Sequence, residues 1–153
     1  MADTLDEIDR RILRQLQRDA AIGTDALADA VGLSRNACWR RVKLLEGAGT
    51  IARRVAIVDP AAVGLGLSVF VMVRTNRHDR DWLTLFERTV RDLPEIVGAH
   101  RMAGDLDYVL RVRVGSVADY DRFYQRLIAR VPLSDISASF VMDDIKDTTA
   151  LPV

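Results

Sequence analysis

Few residues of this 153-residue chain suit covalent or metal chemistry. Cys38 is its single cysteine, and His78 and His100 are its only histidines. One thiol forms no internal disulfide and supplies no cysteine-rich zinc site. A catalytic histidine would have to be one of two. The residues that do cluster are basic. Between Ser34 and Arg54 stand Arg35, Arg40, Arg41, Lys43, Arg53 and Arg54 against one acid, Glu46, a net of +5. The whole chain carries 22 basic and 22 acidic residues, and positions 61–153 hold 12 and 13, so the excess is local. A compact basic block in a neutral chain is the footprint of a phosphate-binding surface, with a solvated helix face as the bland alternative.

The elements around the block give it a geometry. Thr4 and Glu7 have the spacing of a capping box, with Asp6 as the alternative cap. Leu5, Ile8, Ile12, Leu13 and Leu16 then recur at helical steps, which predicts a helix over 6–19. After Gly23, Thr24 is suited to cap a short helix carrying Leu27, Ala28 and Val31, and Gly32 suits a left-handed C-cap. Ser34 caps a third helix that runs to about Ala48. Gly32-Leu33-Ser34 is therefore the tight link of a helix-turn-helix. On the third helix Cys38, Val42 and Leu45 face a core. Asn36, Arg40 and Lys43 share another face, with Ser34, Arg35 and Trp39 beside them. Basic and amide groups on the first half of such a helix suit reading of base edges in a major groove. Arg53 and Arg54 open an extended stretch, 51–58, suited to gripping phosphate on a wing. Cys38 reads as a small core residue; Trp39 belongs either to the DNA face or to the packing of the helices.

Past Asp59-Pro60 the pattern changes to strand, helix, strand, strand, helix, strand. Leu67–Val73 is an apolar β-branched run that reads as a strand buried on both faces. A helix over 81–92 carries Trp82, Leu85, Phe86 and Val90, and Pro94 follows it. Strands are predicted over 95–102 and 108–114, joined by a turn at 103–107. Ser116 caps a helix with Tyr120, Phe123, Tyr124, Leu127 and Val131 inward. The last strand, 136–145, alternates Ile136, Ala138, Phe140 and Met142. The fold class is thus α+β: a winged helix-turn-helix over 1–60, then a ferredoxin-like βαββαβ domain over 61–153. Both helices of that domain cover one sheet face, which leaves Phe70 and Met72 on the other, so two copies are expected to bury it together.

Composition narrows the functional classes. Hydrophobic residues make up 49% and charged residues 29%, which excludes a disordered chain. No apolar run approaches the ~18 residues of a membrane span. The stretch Met1–Arg11 carries Asp3, Asp6, Glu7 and Asp9 in place of a signal peptide's apolar core, so a cytoplasmic location is expected.

Four groups of residues together resemble one family. They are Leu5-Asp6 with Asp9 and Ile12-Leu13; Val31-Gly32-Leu33-Ser34 with Cys38, Arg41-Val42 and Leu45-Glu46; Gly104-Asp105-Leu106-Asp107-Tyr108; and Asp144-Ile145-Lys146. The chain is similar over nearly all its length to the Lrp/AsnC, or feast/famine, transcription regulators. Ala37 stands where many members carry proline, and alanine also begins a helix well. Trp39 after Cys38, Arg101-Met102-Ala103-Gly104, and Thr148-Thr149-Ala150-Leu151-Pro152 look like the cysteine-responsive branch, although the last motif recurs in other branches.

The resemblance implies a regulator of amino-acid metabolism that binds palindromic double-stranded DNA, dimerises through its sheet and assembles into tetramers, octamers or higher forms. It implies no cofactor, metal or membrane partner, only a small amino-acid effector, with L-cysteine as first candidate. The effector is expected near the turn between the second and third strands, at Arg101, Met102, Gly104, Asp105, Asp107 and Tyr108. There Gly104 offers backbone N–H groups to a carboxylate, Arg101 a guanidinium, and Asp105 or Asp107 an acceptor for the ammonium group. Gly-Asp is equally ordinary hairpin chemistry. Two rivals share the fold: a sirohaem-decarboxylase-like enzyme using His100 and Arg101, which has no need of the basic block, and an architectural DNA-binding protein without an effector. The expectation is a regulator and not an enzyme.

Overall fold

The computed structural model describes residues 5–153, so Thr4 lies outside the described residues. The chain divides into two compact units: residues up to Ile57 together with Lys146–Val153, and Val58–Ile145. The expected division at 60/61 thus falls at 57/58, and the closing segment joins the first unit.

The first unit contains α1 (Glu7–Arg18), α2 (Thr24–Val31) and α3 (Arg35–Gly47). Asp6 caps α1, its carboxylate accepting from Asp9 N at 2.8 Å. Helix α2 begins one residue earlier than expected: Gly23 occupies the cap, its carbonyl accepting from Leu27 N, and Thr24 is the first helical residue. Gly32 ends α2 at φ 73°, a left-handed conformation that glycine adopts without a Cβ penalty. Ser34 caps α3 through Ala37 N. Ile12, Leu13, Leu27, Ala28, Val31, Cys38, Val42 and Leu45 close one core between the three helices. The expected wing, 51–58, forms neither helix nor strand, and it leaves Val55 and Ile57 exposed.

The second unit contains β1 (Leu67–Arg74), α4 (Arg80–Asp92), β2 (Ile96–Arg101), β3 (Tyr108–Val114), α5 (Val117–Arg130) and β4 (Asp135–Phe140). Its sheet has the order β2-β3-β1-β4 with antiparallel neighbours, the ferredoxin-like arrangement. Val69, Val71, Val73, Leu110 and Val112 meet Phe86, Phe123 and Leu127 in its core. Trp82 stacks on Phe86 at 5.0 Å and donates from Nε1 to Pro132 O at 2.8 Å, so its one polar group is satisfied.

Three expectations are corrected here. β1 is buried along its helix side, but on the other face only Ser68 is buried, Met72 is half-buried and Phe70 remains 41% exposed. On α4 it is Thr89, not Leu85, that points inward. β4 ends at Phe140, opposite Val69, although β1 continues to Leu67; Val141 N makes one further bond to Ser68 O. Met142 is consequently exposed.

Candidate nucleic-acid interface and effector site

The cap at Ser34 fixes where α3 begins, and the burial of Cys38, Val42 and Leu45 fixes which way it faces. Arg35, Asn36, Trp39, Arg40 and Lys43 are therefore exposed, as the helical spacing requires. The exposed cations differ in what holds them. Among the described residues no hydrogen bond or ion pair engages Asn36, Arg40 or Arg53. Arg35 lies 3.4 Å from Asp25, an exposed pair easily exchanged for phosphate. Lys43 lies 2.7 Å and Arg54 3.2 Å from Glu46, and Arg54 also donates to Ala20 O. Lys43, then Arg54, hold the Glu46 carboxyl below its ordinary range. Four of the eight expected DNA contacts, Ser34, Arg35, Lys43 and Arg54, thus have a partner inside the protein. Trp39 forms a wall of a hollow of about 350 Å³ floored by Leu16, Ile22 and Leu27.

Arg41 has a different task, which sequence spacing alone did not assign. Its Nη1 donates to Asp6 at 2.7 Å and to Asp9 at 2.9 Å, tying α3 to the start of α1. The Asp9 backbone N–H, then Arg41, lower the Asp6 carboxyl, and the two carboxylates raise the Arg41 guanidinium. Cys38 is buried, which pushes its thiol up and away from the reactive thiolate.

In the second unit the β2–β3 turn brings the expected effector residues together. Met102 N donates to Asp107 O at 2.8 Å, and Asp107 N to Val73 O. The Asp107 carboxylate accepts from Thr75 N at 2.8 Å, while Arg74 spans from Asp105 O to the Asp135 carboxylate. Asp107 therefore fastens the turn to the end of β1. Gly104 takes φ 131°, a conformation that other residues rarely adopt, with open space where a side chain would stand. Arg101 sits opposite Tyr108 across β2 and β3. Both line a groove of about 330 Å³ against α4, with Phe86 and Val90 supplying apolar surface and Glu87 and Arg91 the charge. No hydrogen bond or ion pair engages the Arg101 side chain among the described residues. Glu87 and Arg91 were not recognised from sequence, because their spacing reads as an ordinary surface pair, which at 3.4 Å they also form. Phe70 and Met72 lie on the other sheet face, opposite Arg111 and Val109. Among the described residues no His/Cys/Asp/Glu cluster suits a metal, and no helix is long and apolar enough to cross a membrane.

A helix-turn-helix with an exposed basic face, followed by a βαββαβ sheet domain, defines a class of DNA-binding regulator. Residues 5–46 match the AsnC-type helix-turn-helix domain and residues 68–151 the Lrp/AsnC ligand binding domain. A glutamate uptake regulatory protein of Zymomonas mobilis is 46% identical over 153 residues, covering 100% of this chain and 93% of that one. The DNA-binding transcriptional activator DecR of Escherichia coli is 46% identical over 150 residues, covering 97% and 99%. The crystal structure of an AsnC family transcriptional regulator from Agrobacterium tumefaciens shares 47% identity with a TM-score of 0.93, covering 97% of each chain. A Neisseria meningitidis regulator solved as its L-Met complex shares 34% identity with the same TM-score and coverage. The chain belongs to the Lrp/AsnC family. It is a DNA-binding transcriptional regulator with an amino-acid-binding domain.

Proposed function

We propose that this regulator senses a small amino acid at residues 101–108 and reads a palindromic operator as a homo-oligomer, at least a dimer, acting in the cytoplasm by binding and not by catalysis. L-Cysteine is the first candidate effector and another small amino acid the second. The observation that carries the reading is Arg101: a guanidinium without a partner among the described residues, at the edge of a groove with apolar walls, beside a turn with open space at Gly104. A zwitterion needs a cation for its carboxylate, an acceptor for its ammonium group and apolar surface for its side chain. Arg101 and the Gly104 backbone serve the first need, Asp105 or Asp107 the second, and the hollow beside Met102 and Tyr108 the third. The relative solved as its L-Met complex supports an amino-acid ligand. On the DNA face Ser34, Arg35, Asn36, Trp39 and Arg40 read bases or adjacent phosphate, and Lys43, Arg53 and Arg54 add charge. Phe70 and Met72 form the interface between copies.

Calorimetry with L-cysteine under reducing conditions, L-methionine and L-glutamate tests the effector site. One of them binds wild type, and Arg101→Ala and Asp105→Asn weaken that binding without lowering DNA affinity. Equal binding by both variants and wild type places the site elsewhere. Asp107→Asn is the less selective test, since Asp107 also holds Thr75.

A further inference from the structure

Segment 146–153 forms neither helix nor strand, yet it is tied to α1 at several points. Gln17 Nε2 donates to Leu151 O at 3.1 Å, and Leu151 N donates to Gln17 Oε1 at 2.6 Å. A carboxamide holds a donor and an acceptor side by side, so this side chain pairs with one residue's backbone as a neighbouring strand would. Arg14, one turn earlier on the same face of α1, donates from Nε to Val153 O at 2.6 Å and from Nη1 to Glu7 at 3.0 Å. Thr148 Oγ1 takes up Ala150 N at 3.1 Å. Pro152, between the two anchored residues, has no N–H to satisfy and a fixed φ. Val153 packs against the core of the three helices, as do Leu5, Ile8 and Leu16. Polar groups at separate points and an apolar anchor agree on one register.

We infer that the outer face of α1 is a recognition surface for an extended peptide and that residues 146–153 of the same chain are its occupant. The segment is a strap, fastening the DNA-binding unit to the rest of the chain a second time, after the link at 57/58. The strap covers part of the helical core, so the DNA-binding unit opens less often while it is bound. This assignment is independent of the effector reading, because it uses no residue of the second unit.

The full-length chain supplies two reporters. Cys38, its only cysteine, is buried in the first unit, and Trp82 is buried in the second. In hydrogen exchange the Leu151 amide of wild type is slowed about tenfold or more relative to an unstructured peptide, and Gln17→Ala removes that protection. Alanine is the better helix former, so this substitution does not weaken α1 itself. Gln17→Ala combined with Val153→Asp raises the rate of Cys38 labelling by a fluorescent maleimide roughly three- to tenfold, while the melting of Trp82 fluorescence, read in a Trp39→Phe background, stays unchanged. Dilution from micromolar to nanomolar leaves wild-type labelling unaltered, because the strap and its surface are in one chain. An unprotected Leu151 amide in wild type, or unchanged labelling in the double variant, overturns the assignment. Wild-type labelling that rises on dilution overturns its intrachain part and gives the strap to another copy.

Discussion

Arg40 offers the sharpest test of the DNA face. Its side chain is exposed on α3, and no protein group engages it among the described residues, unlike Lys43 two turns from the cap. Arg40→Ala therefore removes nothing from the fold, and the change in stability should stay within about 0.5 kcal/mol, the usual range for a surface site. If the guanidinium grips a guanine edge, its loss costs about 1–3 kcal/mol of specific binding. That is roughly 5- to 150-fold in Kd. Selection of binding sites from a random duplex library, for wild type and variant, gives the operator and the change at one base position. Anisotropy titrations on the selected duplex at several salt concentrations then give the affinities. A relaxed preference at one position, with urea stability intact, is the expected result. Equal affinity and an unchanged selected sequence, particularly in Arg40→Ala combined with Lys43→Ala, would refute the assignment of α3 as the reading helix.

Arg53 and Arg54 should separate. Arg53→Ala lessens the salt slope of DNA binding by about 0.9, the loss of one phosphate contact. Arg54→Ala also lowers the urea midpoint of the first unit, because Arg54 is bonded to Glu46 and Ala20. Phe70→Asp should reduce a dimer or larger assembly to monomer by light scattering, since a buried unpaired charge is strongly unfavourable; assembly unaltered by the charge would place the interface elsewhere. Leu127→Ala, at a fully buried position, should cost about 2–5 kcal/mol in urea unfolding followed by Trp82 fluorescence. Acid should destabilise the first unit through Asp6 and Glu46. Both carboxyls are lowered in the fold, so their contribution is complete above the ordinary values of 3.8 and 4.5 and is lost as pH falls through and below them. Asp6→Asn should flatten that acid loss in denaturant midpoints measured across the range.

Local chemistry made most of the fold legible in the sequence. Ser34, Gly32 and Ser116 act at the helix ends where their types place them, and the alternation Tyr108, Leu110, Val112, Val114 is buried at each step. Where the reading fell short, the cause lay in distant partners. Met142 continued an alternation along its own strand, but β4 leaves the ladder at Phe140 while β1 runs on to Leu67, which alternation alone does not reveal. The basic block read as one surface. Only the folded chain separates Arg41, held by acids 32 and 35 positions away, from the unengaged Arg40. Gln17 carries no sequence signal at all: its partner stands 134 residues later.

That separation has a consequence for synthesis. The ribosome makes the chain from its N-terminal end, and domains tend to fold as units while they emerge. The three helices of the DNA-binding unit precede the sheet domain in the chain, but the unit is discontinuous in sequence, with Val58–Ile145 inserted between its two parts. It stays unfinished until the whole sheet domain has been made. A nascent chain therefore completes its sensor before its DNA reader, so the finished form of the reader arrives already attached to the part that regulates it.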